Sequence, residues 1–448
     1  MSLDSFFNPE SIAVIGASED PKKLGYEVFK NLLDFGEKIY PVNKNEEEVL
    51  GEKAYKNVSE IEDAVELAVI IVPAEYVPEV IEDFGKNGGK AAVIITGGFR
   101  EAGREELEKE VLNVAEKHGV RIIGPNTAGV QNTHNRLKAT FTREAKKGKI
   151  AFLSQSGALG GAMIYKTSAR NIGLSKFVNV GNMVDVDFSD LLGYLDGDET
   201  TDAIAIYMEG VRKGKKFLNS AKQCSKPIIV LKGGKSESGS KATYSHTGSM
   251  AGSPRVYDGI FRQAGIITAD SFEEMFAMAR AFGQPTPRGN KVAILTNAGG
   301  GGVLLSDKID KHGLQLADLD ERTKEELREA LPPIASVKNP IDTIASARGK
   351  EYEKSVSVIM EDDNVDILIV VHVIPTFTGM SKVEHAEGVI DAVKEKKAVK
   401  PIVTSFLADD IAEDSRELLE NEGIPCYNSL EAAASGAYAL YKYSTGRN

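Results

Sequence analysis

Short, mostly apolar runs alternate with amphipathic stretches along the whole chain, and this alternation leaves few folds open to it. In the first third, the runs Ser11–Ile15, Lys38–Val42, Leu67–Val72, Ala91–Ile95 and Val120–Ile123 predict strands. Segments near Tyr26–Phe35, Glu75–Lys86 and Arg104–Lys117 fit helices between them. The pattern restarts at Lys149–Leu153, passes through Leu174–Val180, Ala203–Met208 and Pro227–Leu231, and reaches a helix near Phe272–Ala281. It restarts once more at Lys291–Leu295, with strands at Asp366–Val373 and Pro401–Ser405 and a closing helix near Leu430–Tyr443. Strands alternating with helices in this way predict an α/β chain of three doubly wound modules in series. The polar stretch Arg143–Gly148 marks one boundary, and the paired prolines and glycines of Gly283–Asn290 mark the other. The modules are therefore expected over 1–145, 146–286 and 287–448.

Charge and cysteine usage narrow the class. The formal net charge of -12 opposes broad binding to nucleic acid or an anionic membrane, while leaving room for a local basic pocket. No apolar run is long enough to span a bilayer, and the stretch from Met1 to Pro9 lacks the features of a signal peptide. Cys224 and Cys426 stand far apart with no metal-like spacing, so a reducing, cytoplasmic setting is expected, with no disulfide framework and no metal site.

The first module carries a nucleotide loop of unusual form. Strand Ile12–Ile15 runs into Gly16-Ala17-Ser18, then Lys23 and Gly25, before a helix. A glycine here lets the backbone approach a phosphate, and the helix N-terminus favours its charge. Gly16 and Gly25 lie too far apart for the usual dinucleotide fingerprint. The second strand ends in Asn43-Lys44 where an NAD protein carries an acid for the ribose hydroxyls. A lysine there suits a phosphorylated ribose, as in NADP or coenzyme A. Three further strand ends, Val72-Pro73-Ala74, Thr96-Gly97-Gly98 and Gly124-Pro125-Asn126, should converge on the same crevice.

The second module offers an anion seat and a group carrier. Strand Ile150–Leu153 leads into Ser154-Gln155-Ser156-Gly157 at a helix start, where hydroxyls and free N–H groups suit a phosphate. Such a terminus contributes up to about 2 kcal/mol, whereas desolvating an ion costs several kcal/mol. The serine hydroxyls or a partner's helix would have to assist. Strand Ala203–Met208 delivers Glu209 to the same sheet edge. The Gly/Ser-rich run Gly233–Gly252 holds His246, and its composition predicts a mobile loop. A histidine on such a loop can take up a phosphoryl group if an acceptor holds its other ring nitrogen, and Glu209 is the best-placed acceptor. His118, His134, His312, His372 and His385 have no motif context and are expected to be structural or surface residues. The four glycines Gly299–Gly302 lack the Walker lysine, so a tight strand-to-helix turn is expected there.

Together these residues resemble the α subunits of the ADP-forming acyl-CoA synthetases, relatives of succinyl-CoA synthetase. The motifs are Gly16-Ala-Ser, Lys23-Leu-Gly-Tyr26, Tyr40–Lys44, Val72-Pro-Ala, Ile95–Phe99, Gly124-Pro-Asn126, Ser154–Gly157, Glu209 and Ser245–Gly248. The resemblance implies a Rossmann-like CoA-binding domain followed by two flavodoxin-like CoA-ligase domains. It implies that His246 is phosphorylated and Glu209 pairs with it, that Asn126 and Ser154–Gly157 bind acyl and phosphate groups, and that the first-module loops bind CoA. It also implies ADP/ATP and Mg²⁺ on an ATP-grasp β partner, an α2β2 heterotetramer, and acetate as the default acid. Thr127 departs from the cysteine of many relatives. A non-catalytic CoA sensor or scaffold of this fold is the alternative from another class. A stand-alone NADP oxidoreductase is opposed by the missing glycine fingerprint.

Overall fold

The computed structural model describes residues 3–236, 238–239, 253–376, 379, 381–396 and 399–446. The chain divides into two compact units, Met1–Thr268 and Ala269–Asn448. Both are built on parallel sheets, because their central strands are apolar on either face and must be covered from both sides.

The first unit holds two large sheets. In one, β1 (Ser11–Ile15), β2 (Lys38–Val42), β5 (Leu67–Ile70), β6 (Ala91–Ile94) and β7 (Arg121–Ile123) run parallel in the order β2-β1-β5-β6-β7. A two-stranded hairpin, β3 (Glu48–Val49) with β4 (Glu52–Lys53), follows β2. Strand order reverses between β1 and β5, the place where the carboxyl-end loops of an open α/β sheet turn to opposite sides.

The other sheet has the order β14-β13-β12-β10-β11-β8-β9. Its members are β8 (Gly129–Asn132), β9 (Leu137–Thr140), β10 (Lys147–Ser154), β11 (Leu174–Asn179), β12 (Ala203–Met208), β13 (Ile228–Lys232) and β14 (Ile267–Ala269). Here the order reverses between β10 and β12. The antiparallel hairpin β8–β9 joins this sheet through β11, so the chain enters the second sheet at Gly129, ahead of the polar stretch 143–148. The helix Leu24–Leu32 packs against this hairpin, with Asn31 Nδ2 donating to Thr140 O at 2.8 Å.

The second unit is one sheet in the order β16-β15-β18-β19-β20, with β17 also beside β15. Its strands are β15 (Lys291–Thr296), β16 (Gln315–Leu316), β17 (Ile341–Asp342), β18 (Ile367–Val373), β19 (Ile402–Leu407) and β20 (Cys426–Tyr427). The helix Phe272–Arg280 packs into this unit through Ala277 and Tyr427, whose hydroxyl donates to Ala277 O at 2.7 Å. The four-glycine run opens the helix Gly299–Lys311. A Cβ at Gly302 would lie 3.0 Å from Pro340 Cβ, and one at Gly299 2.8 Å from Asp342 Oδ2, so the run permits close packing. No described helix is long and apolar enough to cross a membrane.

Candidate functional site

The crevice of the first sheet is shaped by backbone that must come close. Gly16 follows β1 with φ +97°, and a Cβ there would lie 2.6 Å from Ile71 O. Gly25 lets the next helix settle on that loop, since its Cβ would meet Gly16 O at 2.0 Å. Asn43 Nδ2 donates to Ala17 O at 2.7 Å and ties the end of β2 to the loop. Ser18 Oγ donates to Glu46 Oε1 at 3.2 Å, and Glu19 N to Glu46 Oε2 at 3.0 Å, so this carboxylate takes donors at the crevice mouth. Lys23 and Lys44 are exposed, and the Lys44 ammonium stands 5.9 Å from the centre of the Tyr76 ring. Close approach at Gly16 and two exposed ammonium groups suit a phosphorylated nucleotide such as CoA.

The remaining strand ends line up beside it. Thr96 Oγ1 donates to Val72 O at 2.7 Å, joining the Val72-Pro73 turn to the Thr96-Gly97-Gly98 loop. Gly98, at φ +97°, receives Arg104, whose Nε donates to Gly98 O at 2.7 Å. Asn126 follows with φ +59°; its N–H donates to Thr96 O at 2.9 Å, and a Cβ on Gly97 would lie 3.1 Å from its Oδ1. Gly16, Val72, Gly97 and Asn126 thus stand in the order of their strands. The Thr127 side chain turns the other way: it is buried, donates to Asn179 O and accepts from Gly129 N at 3.0 Å.

Asn126 stands where the first sheet's loops meet the second. Asn179 Oδ1 accepts from Ala128 N at 2.6 Å, and a Cβ on Gly157 would lie 3.3 Å from that oxygen and 3.5 Å from Ala128 Cβ. The helix Gly157–Ala169 therefore begins against the Asn126 turn. Ser156 is its N-cap, with Oγ accepting from Leu159 N at 3.4 Å. Ser154 is buried and its Oγ donates to Ser156 O at 2.7 Å, which spends this hydroxyl on shaping the turn. The first N–H groups of a helix have no acceptor inside it, and they are what the turn offers to an anion.

Across the reversal point, Gln155 reaches from β10 to the end of β12. Its Oε1 accepts from Glu209 N at 2.8 Å and from Gly210 N at 3.0 Å. Glu209 is buried, and Tyr207 donates its hydroxyl to Glu209 Oε1 at 3.3 Å. Burial and the adjacent carboxylate push the Tyr207 hydroxyl up to about 12, so it stays a donor at neutral pH. A Cβ on Gly233 would lie 3.1 Å from the Tyr207 hydroxyl and 3.7 Å from Glu209 Cγ. The segment holding His246 therefore starts beside Glu209; His246 itself, with residues 240–252, lies outside the described residues.

Several contributors carried no sequence signal. Lys232 is buried and donates to Glu209 O at 2.8 Å. Asn182 Nδ2 donates to Glu101 Oε2 at 2.6 Å and Glu108 Oε2 at 2.8 Å, while its Oδ1 accepts from Asn126 Nδ2 at 3.4 Å. Glu108 also takes Arg212 NH2 at 3.0 Å. Burial holds the Glu108 carboxyl above its usual range. Glu101 is lowered: burial opposes this, but donors from Asn182, Gly98 and Phe99 outweigh it. Lys232, Asn182, Glu101, Glu108 and Arg212 stood in no recognisable motif, and most of these contacts join residues far apart in sequence.

Among the described residues no group of acidic, histidine and cysteine side chains could hold a metal ion. His372 and His385 are buried in the second unit, consistent with a structural role.

Comparisons with known proteins show the family. Three family models match in series: a CoA binding domain over residues 10–133, a succinyl-CoA ligase like flavodoxin domain over 147–282 and a ligase-CoA domain over 292–447. The α subunit of acetate–CoA ligase (ADP-forming) II from Pyrococcus furiosus is 56% identical over 98% of this chain and 97% of its own. Acetate–CoA ligase (ADP-forming) I from Archaeoglobus fulgidus is 41% identical over 99% of this chain, which spans 64% of that protein. The structure of the dinucleotide-forming acetyl-coenzyme A synthetase 1 of Ca. Korarchaeum cryptofilum, in complex with phosphate and ADP, superposes with TM-score 0.94. It is 40% identical, and the match covers all of this chain and 97% of that one.

Proposed function

The chain belongs to the family of ADP-forming acetate–CoA ligase α subunits, and we propose that it moves a phosphoryl group from acetyl-CoA and phosphate towards ADP by way of His246. The observation that carries this reading is the Gln155 bridge. It fixes Glu209 beside the anion-binding turn, and Gly233 brings the root of the His246 segment against the same carboxylate.

Phosphoryl transfer would run in three steps. A phosphate oxygen, held at the start of the helix Gly157–Ala169, attacks the thioester carbonyl near Asn126. The C–O bond forms, the C–S bond breaks, and CoA leaves with acetyl phosphate in the turn. A ring nitrogen of His246 then attacks phosphorus; P–N forms, P–O breaks and acetate departs. Glu209 accepts a hydrogen bond from the other ring nitrogen and stabilises the charge that develops there. ADP finally takes the phosphoryl group as P–N breaks, giving ATP and neutral histidine.

We assign ADP, ATP and Mg²⁺ to an ATP-grasp β subunit, in an α2β2 heterotetramer of the cytoplasm. The Archaeoglobus relative supports a further component, because about a third of it extends beyond the part this chain matches. Positioning and charge neutralisation dominate phosphoryl transfer, and Mg²⁺ would supply the latter on the nucleotide. CoA would lie along Gly16–Ser18, Lys23, Gly25, Asn43, Lys44, Val72, Pro73 and Thr96–Gly98.

ATP formation from acetyl-CoA, ADP and phosphate tests the reading. The chain co-purified with an ATP-grasp partner should form ATP, and Glu209→Gln should lose about 10²-fold or more of that activity with CoA binding retained. CoA binding without turnover by the complex would overturn it.

A further inference from the structure

A buried lysine stands at the junction between Glu209 and the segment that carries His246. Lys232 ends β13, where only 6% of its surface reaches solvent. Its ammonium donates to Glu209 O at 2.8 Å and to Gly233 O. On its other side the ammonium lies 4.6 Å from the centre of the Tyr257 ring, and the Tyr257 hydroxyl accepts from Val211 N at 3.1 Å. One cation thus clamps the residue after β12 to the residue after β13. A buried ammonium without compensation costs far more than one held by dipoles, an aromatic face and a nearby anion.

We propose that Lys232 is a positioning residue for phosphoryl transfer: its charge holds Glu209 and the root of the His246 segment in register. The inference rests on the reading of Glu209 as the partner of the histidine. It gives the clamp a condition, because the ammonium makes charge-assisted bonds to both carbonyls and balances the Glu209 carboxylate, whereas the neutral amine would keep only weaker N–H donors and no charge. Among the described residues, the charged and titratable groups facing Lys232 are Glu209 at the end of β12, Lys235 beyond β13, and Tyr257 from the helix Pro254–Gln263. Burial lowers Lys232 to about 8; Glu209 opposes the shift and Lys235 adds to it. The clamp is therefore fully charged at neutral pH and weakens as pH rises through that value.

The test combines two readouts on the chain with its partner. Phosphohistidine formation is followed across pH for the wild type, Lys232→Arg and Lys232→Met, with thermal unfolding as the check on folding. The wild-type rate should fall above about pH 8, and Lys232→Arg, which keeps its charge, should carry that limb upward. Lys232→Met should be slower by at least about tenfold at neutral pH, with no such limb. A purely structural lysine would lower the rate at every pH without moving the limb. An unchanged alkaline limb in folded Lys232→Arg overturns the proposal.

The second readout is the ¹⁵N titration of the Lys232 ζ nitrogen, which needs no turnover. A midpoint lowered by Glu209→Gln supports the clamp, and an unchanged midpoint refutes it. Absence of phosphoryl label on the wild type would overturn the histidine pathway alone, leaving this titration to judge the tie between Lys232 and Glu209.

Discussion

At the residue scale, the site depends on groups with little freedom to change. Gly16 has a left-handed backbone, and a Cβ would enter the van der Waals envelope of Ile71 O. Gly16→Ala should displace the loop over the first crevice and weaken CoA binding by about tenfold or more, as read by calorimetric titration; strain of this kind costs about 1–3 kcal/mol. Gln155 tests the link across the second sheet. Gln155→Leu removes the acceptor from the Glu209 and Gly210 N–H groups, and each donor left buried costs about 1–3 kcal/mol. Single-turnover phosphorylation should slow by about 10–10²-fold while CoA affinity is unchanged. Equal loss of both would mean that the substitution disturbs the whole unit. The strand-to-helix turns at Gly16 and Ser154–Gly157 were legible in sequence because a glycine or a capping serine directly after an apolar strand marks such a turn. Asn182, Gln155 as a bridge and Lys232 were not, because their roles arise from partners that only folding brings near.

At the scale of elements, strands announced themselves where both faces are buried. The apolar runs of β1, β5, β6, β10, β12 and β18 could hardly be anything else. The hairpin β8–β9 escaped notice for a physical reason. Gln131, Asn132, Lys138 and Thr140 are buried in it and satisfied by hydrogen bonds or ion pairs, so no apolar alternation marks it. Gln131 alone donates to Thr142 Oγ1 at 2.9 Å and accepts from Ala145 N at 2.9 Å.

The second unit yields a prediction of its own. His372 and His385 stack at 4.1 Å inside it; His372 Nδ1 lies 3.0 Å from the Tyr352 hydroxyl, and His385 Nε2 lies 2.9 Å from Ala347 O. Burial, then the neighbouring ring, drives His372 well below 6.5, and burial lowers His385 despite the Ala347 carbonyl. A histidine depressed in the folded state binds fewer protons there than when unfolded. The unit should therefore be fully stable above about pH 6.5 and lose stability as pH falls below it, by up to about 1.4 kcal/mol per pH unit for each ring. Urea unfolding between pH 7.5 and 5.5 would show this slope, and His372→Phe should flatten it. A wild-type slope of zero would contradict the assignment.

For the whole molecule, three modules in series share one architectural rule, a parallel sheet whose strand order reverses beside its first parallel strand, and they differ in what stands at that reversal. The first sheet places Gly16 and Val72 at its reversal, and the second places Ser154–Gly157 and Glu209 there. In the second unit the equivalent strand ends are laced together, with Asn297 Nδ2 donating to Val373 O at 2.8 Å and Val373 N to Asn297 Oδ1 at 2.9 Å. The modular order was legible because each restart of the strand pattern is a local signal. Where β8–β9 would pair was not, because strand pairing is set by contacts distant in sequence.

In the proposed pathway His246 carries the phosphoryl group with Glu209 as its partner. Phosphoryl labelling with radioactive phosphate and acetyl-CoA, using the chain with a co-expressed ATP-grasp subunit beside His246→Ala, tests it most directly. Acid-labile, base-stable label is expected on the wild-type chain, absent from His246→Ala and discharged by ADP. Label that persists in His246→Ala, or none on a wild-type complex that binds CoA, would contradict it.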